Sequence, residues 1–141
     1  ALTPLADTGV RARRMALEVV QAVGARVLLL DAETHDAWAA ATSHLPFLAA
    51  NALAASVPLE ARPLVGPGLR STARLAPSPA TMMLDILMTN RDNVLDRLAD
   101  FRGRLQAIET ALKDADEAAL QTALAEGAAN YHHLVEDREM K

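Results

Sequence analysis

Cysteine is absent from the 141 residues, which excludes disulfides, thiolate nucleophiles, cysteine-ligated zinc and iron–sulfur clusters. Aromatic residues are scarce: two Phe, one Trp and one Tyr make up 3% of the chain. Neither sign of charge dominates. Fourteen basic and 18 acidic residues leave a net charge of −4, so the chain lacks the basic field that would hold nucleic acid or an anionic membrane. No apolar run approaches the ~20 residues needed to cross a bilayer, and no signal-peptide pattern opens the chain. These absences leave a reduced, soluble, cytoplasmic protein as the expectation.

What is present is apolar and mostly small. Hydrophobic residues make up 51% of the chain, and with so few aromatics that share is Ala, Leu and Val. Ala and Leu are strong helix formers, so an all-α, multi-helix domain is expected. The length suits one domain, 1–141, able to bury roughly two thirds of its unfolded surface. The opening Ala1-Leu2-Thr3-Pro4 has no Met and reads as an extended entry, so the sequence is expected to lie inside a longer protein.

Periodicity orders the elements. Ala12, Met15, Ala16, Val19, Val20 and Val23 recur at helical spacing, with Arg11, Arg13, Arg14 and Glu18 on the other face and Gly24 as the stop. Arg26 to Asp31 is a short apolar run that fits a small strand near 26–30 or a buried extended segment. Asp31 can cap a helix over Ala32–Thr42. Pro46 should kink or break that segment before Leu48–Ser56 resumes. Val57 to Pro79 holds five of the seven prolines and reads as the one long irregular stretch, a common location for function.

Beyond Pro79 helix dominates. Val94, Leu98, Phe101, Leu105, Ile108 and Leu112 form a heptad-like seam. Asp114-x-x-Glu117 resembles a capping box that starts a second helix bearing Leu120, Leu124, Gly127, Tyr131 and Leu134. Together they predict a long antiparallel helical hairpin.

Few residues carry candidate chemistry. Gly66-Pro67-Gly68-Leu69-Arg70-Ser71 approaches a dinucleotide fingerprint but fails it, because Pro67 has no N–H, prolines precede it where a strand is needed, and Ser71 replaces the third glycine. Arg70 and Arg74 stand four apart, and guanidinium groups suit carboxylates; on spacing alone they read as solvated surface arginines. His35-Asp36 lies in early helical turns, and Ser43-His44 at the proline break. There His44 either caps the interrupted turn or joins a binding site. His132, His133 and Glu136 lack a further ligand and read as a solvated helix end, with no metal expected. Met82 and Met83 read as core filling.

In their order and separation, His35-Asp36, Ser43-His44-Leu45-Pro46 and Gly68-Leu69-Arg70-Ser71-Thr72-Ala73-Arg74-Leu75-Ala76 resemble the C-terminal helical domain of the prephenate dehydrogenase family. Its members carry a His-Asp pair, a Ser-His-Leu-Pro-His motif and a Gly-Phe-Arg-Asp-x-Thr-Arg-Ile-Ala-like stretch. Asp85-Ile86-Leu87-Met88-Thr89-Asn90-Arg91 is similar to the family's helix junction, and Leu2-Thr3-Pro4 to the exit from its nucleotide-binding domain. The likeness runs from about Leu2 to Tyr131.

The resemblance implies part of a two-domain enzyme of tyrosine biosynthesis that oxidatively decarboxylates prephenate to 4-hydroxyphenylpyruvate. It implies NAD or NADP held by a Rossmann domain outside this chain, together with the catalytic His. This chain would supply substrate binding and a homodimer interface and be inactive alone, with no catalytic, cofactor-binding or metal residue of its own. Arg74 matches the prephenate-binding arginine, Ser43 and His44 fall on the substrate-side motif, and Arg70 accompanies them. Phe47 stands where the family has a second His, Met83 where an aromatic is expected, and Ser71 where an acidic residue follows Arg70. Those departures bear on the choice between prephenate and arogenate. Two other readings fit the helices: a non-catalytic module whose seams bind a partner helix, or the helical domain of an arogenate or other two-domain dehydrogenase.

Overall fold

The computed structural model describes residues 1–136. Two compact units emerge, Ala1–Arg97 and the stretch from Leu98 onward. In the first, α1 (Val10–Ala22) ends as expected at Gly24. There φ is +70°, Gly24 N–H reaches the Gln21 carbonyl at 2.9 Å and Ala25 N–H the Val20 carbonyl at 3.0 Å. This is a Schellman end, and its left-handed residue would cost a side chain with a β-carbon roughly 1–2 kcal/mol.

The small strand expected near 26–30 is reduced to one parallel bridge, Leu2 to Leu29. Leu2 N–H donates to Leu28 O at 2.8 Å and Leu30 N–H to Leu2 O at 3.1 Å. The next donor along a parallel ladder would be residue 4, which is Pro4 and has no N–H. The ladder cannot lengthen in that direction.

Asp31 caps α2 (Ala32–Ala39), accepting from Thr34 N–H at 2.8 Å and from the Thr34 hydroxyl at 2.7 Å. These bonds hold its carboxyl below the usual carboxylate range, the backbone N–H contributing most. Pro46 then reshapes the run. It cannot donate to the Thr42 carbonyl, and its ring crowds that oxygen. The chain widens by one π-helical turn, Ala40–His44, in which Leu45 N–H reaches Ala40 O, and continues as α3 (Leu45–Ser56). The expected break is therefore a bulge in an unbroken run, a feature often found at functional sites. Ala40, His44, Phe47 and Ala50 are buried along one face of it, and Met83 and Val94 are the other buried side chains of this unit among the described residues.

The proline-rich stretch is less irregular than expected. It holds a 3-10 turn at Leu59–Leu64 and a short α4 (Pro67–Thr72), followed by tight turns to Ser78. Pro58 and Pro79 sit as N-caps of the 3-10 turn and of α5 (Ala80–Thr89), and Pro67 opens α4. At these positions a missing N–H removes no helical bond. Asn90 separates α5 from α6 (Arg91–Lys113).

From Leu98 onward the chain forms the predicted hairpin, the rest of α6 and α7 (Glu117–Glu136). Arg104 and Glu126, equally far from Ala115 on either side, approach to 3.9 Å, as antiparallel pairing requires. The cap of α7 is Asp116, whose carboxylate accepts from Ala119 N–H at 2.9 Å; the expected Asp114 box does not form. The reason is Ala115, which takes the left-handed position at φ +51°, with Ala115 N–H on Leu112 O at 3.3 Å and Asp116 N–H on Ala111 O at 2.9 Å. The predicted seam is shared differently too. Leu98, Phe101 and Ile108 are half-buried and Ala111 fully so, while Leu105 and Leu112 remain exposed. No helix among the described residues is long and apolar enough to cross a membrane.

Candidate functional site

The π turn matters because of where it puts His44. Of the residues in the widened turn, Ala40 and His44 fall on the buried face of the run, and His44 is only 8% exposed. Its ring nitrogen Nδ1 lies 3.3 Å from Nδ2 of Asn90, the residue that joins α5 to α6. Asn90 Nδ2 also donates to the backbone carbonyl of Asp36 at 2.7 Å. Asn93, one turn into α6, donates through Nδ2 to Asn90 Oδ1 at 2.8 Å. One amide thus ties the first turns of α2, the π turn and the start of α6 together.

Charge surrounds the ring unevenly. Burial pushes His44 below the ordinary histidine value; the Asp36 carboxylate works against that, and nearby His35 adds to it. His35 Nδ1 is itself 2.9 Å from Asp36 Oδ1. Beside this network lies an open polar depression of roughly 390 Å³ lined by Asp36, Asn90, Arg91, Asp92 and Asn93, among others.

Of the sequence-predicted residues, the structure brings together His35, Asp36, His44 and Asn90. Ser43 is exposed on the π turn next to His44. Arg70 lies in the last turn of α4 and Arg74 just beyond it, so the helical relation between them is not completed. Leu69 and Ala73 line an apolar hollow of roughly 240 Å³ with Val57, Pro58 and Val65, while each following arginine is exposed. No carboxylate among the described residues pairs with either guanidinium. Two free cations are therefore held out on a segment anchored by its apolar neighbours.

Asn93 is a member of the network that sequence reasoning missed; the only local signal is its place one turn after Asn90. Among the described residues no cluster of His, Asp or Glu could hold a metal ion. Tyr131 and His132 stack edge to face at 6.0 Å, and the Glu136 side chain lies outside the described residues.

Comparison with known proteins adds a second line of observation. The family model described as "Prephenate dehydrogenase, dimerization domain" matches residues 31–126. A prephenate dehydrogenase of Bacillus subtilis is 29% identical over 122 residues, covering 82% of this chain and 33% of that protein. One of Lactococcus lactis is 27% identical over 117 residues, covering 78% of this chain and 33% of that protein. This chain thus spans about a third of the length of the curated relatives it matches. The crystal structure of prephenate dehydrogenase from A. aeolicus in complex with hydroxyphenyl propionate and NAD+ superposes with a TM-score of 0.81 at 25% identity, covering 94% of this chain and 48% of that one.

Proposed function

The chain belongs to the prephenate dehydrogenase dimerisation-domain family, and from that premise we propose that it supplies the substrate-side wall and the homodimer interface of an enzyme that oxidatively decarboxylates prephenate. The observation that carries this reading is that the matched stretch, residues 31–126, contains His44 and its network, Ser43, Arg70 and Arg74 together. The relative from A. aeolicus was crystallised in complex with hydroxyphenyl propionate and NAD+, which supports this reading.

NAD supplies the hydride acceptor for such a reaction. A pyrophosphate cradle needs a strand, a glycine turn and a helix in succession. Gly66-Pro67-Gly68 instead follows a 3-10 turn and opens a six-residue helix, so this glycine segment does not form such a cradle. In this reading the cofactor binds elsewhere in the enzyme.

This chain's own part is recognition. Prephenate carries two carboxylates, and desolvating them is costly unless donors stand ready. Arg74 offers the unpaired guanidinium that binds one of them, with Arg70 four residues away adding charge. Ser43 and His44 supply neutral hydrogen bonds from the π turn. Holding the substrate in one orientation is where such groups act on rate.

The test is reduction of NAD by prephenate, followed by absorbance, in this chain joined to a nucleotide-binding domain, with Arg74→Ala and with arogenate as comparator. Turnover of prephenate by the parent, and at least a tenfold lower kcat/KM in Arg74→Ala, about 1.4 kcal/mol, is expected. No turnover, or turnover indifferent to Arg74, contradicts the reading.

A further inference from the structure

We infer that Asn90 is a positioning residue that holds the His44 ring in a single neutral form, with Nε2–H as a permanent hydrogen-bond donor toward an oxygen atom of the ligand. The inference rests on the reading of His44 as a substrate-side residue and goes beyond it by assigning the ring's tautomer and the group that sets it.

The amide of Asn90 has only one orientation. Its Nδ2 is 2.7 Å from the Asp36 carbonyl, which has lone pairs only, so that end must be the NH2. Its Oδ1 is 2.8 Å from Asn93 Nδ2, which has only protons to give. Turning the amide over would set its oxygen against the Asp36 carbonyl, acceptor against acceptor, while the contact with Asn93 is satisfied in the orientation that remains. The bond to the Asp36 carbonyl, which can only accept, therefore fixes which atom faces His44.

That atom is Nδ2, and its second hydrogen is the one available to His44 Nδ1 at 3.3 Å. A ring nitrogen facing an N–H must offer its lone pair, so the proton of the neutral imidazole resides on Nε2. The imidazolium would set N–H against N–H. Burial disfavours it as well, and the neighbouring Asp36 and His35 act on the ring in opposite directions.

Nε2 has no partner among the described residues, yet none of their buried side-chain nitrogens or oxygens is left unsatisfied. The Nε2–H therefore reaches the surface, where it can donate to a carboxylate, carbonyl or hydroxyl oxygen. It cannot serve there as a base. The pairing also links Asn90, 46 residues away in sequence, to the π turn that Pro46 creates.

The experiment is two-bond 1H–15N spectroscopy of the protein labelled with 15N-histidine, near pH 7.5, with the His44 signals assigned by their loss in His44→Gln. In the parent, Nε2 is expected to carry the proton and Nδ1 to be bare. Asn90→Ala should lose that exclusivity and show mixed tautomers. Asn90→Asp, which sets a carboxylate against Nδ1, should shift the ring toward the charged form at the same pH. A parent ring protonated on Nδ1, or an Asn90→Ala ring still purely Nε2–H, overturns the inference; the parent measurement alone decides if a variant fails to fold. Prephenate is then added to the parent in the presence of the nucleotide-binding domain. A shift of the Nε2 signal supports the donor role. An unmoved signal with the tautomer as expected overturns the substrate reading of His44 and leaves the role of Asn90 standing.

Discussion

His44 makes the stability of this protein depend on pH in a definite direction. Its folded pKa is lowered by burial, below the ordinary value of about 6.5. The unfolded chain thus takes up the proton before the folded one does. The stabilisation is complete above that ordinary value and is lost as pH falls from it toward the folded value. Asp31 is also lowered, by the Thr34 bonds, but its loss comes only in the more acidic carboxylate range, so the two windows separate. Thermal unfolding between pH 7.5 and 5 should show Tm falling with pH in the parent and a flatter slope in His44→Gln; equal slopes would remove His44 as the cause. The residue types at this site were legible from Ser43-His44-Leu45-Pro46 and from Asn90 at a helix junction. Their connection was not. Asn90 reaches Asp36 across 54 residues, and contacts of that separation leave no periodicity to read.

The helix ends show how much of an element is local chemistry. Asp31 and Gly24 were legible because each is the residue type its position favours, a side-chain acceptor at one end and a left-handed residue at the other. The end of α6 was hidden because the same left-handed position is filled by Ala115, at φ +51°, and alanine carries no stop signal. The sequence pattern Asp114-x-x-Glu117 therefore points to Asp114, whereas Asp116 is the residue that caps. The same comparison yields a paired prediction. Space does not limit Gly24, since a β-carbon there would meet nothing within 4 Å. Gly24→Ala should therefore cost roughly 1 kcal/mol through backbone strain alone, and Ala115→Gly should stabilise by roughly 0.5–1 kcal/mol after glycine's extra unfolded-state entropy is subtracted. Denaturant midpoints moving in opposite directions would bear this out, and a destabilised Ala115→Gly would refute it. The proline-rich stretch is more regular than its composition suggests for a related reason: prolines that discourage helix interiors are compatible with helix starts, and Pro58, Pro67 and Pro79 all stand at starts.

At the scale of the whole molecule, the apolar content that first suggested a closely packed helical domain is not fully used within one chain. Met15 and Val19 on α1, Met82, Leu84 and Met88 on α5, Leu105 and Leu112 on α6, and Leu124 and Leu134 on α7 are all exposed. Apolar faces of this extent mark interaction surfaces, and the chain's family is that of a dimerisation domain. Helical periodicity made these residues visible as faces; it could not say which would be covered by the chain itself, since Val94 and Ala111 are buried while Leu105 and Leu112, on the same helix, are not. The central claim is that a second copy covers them, making this chain one half of a two-fold assembly. Light scattering at micromolar concentration tests that most directly. The account predicts twice the 15.0 kDa of one chain, and a return to single-chain mass in Leu105→Glu, an exposed substitution that leaves the fold intact. A parent that remains at 15.0 kDa would contradict it.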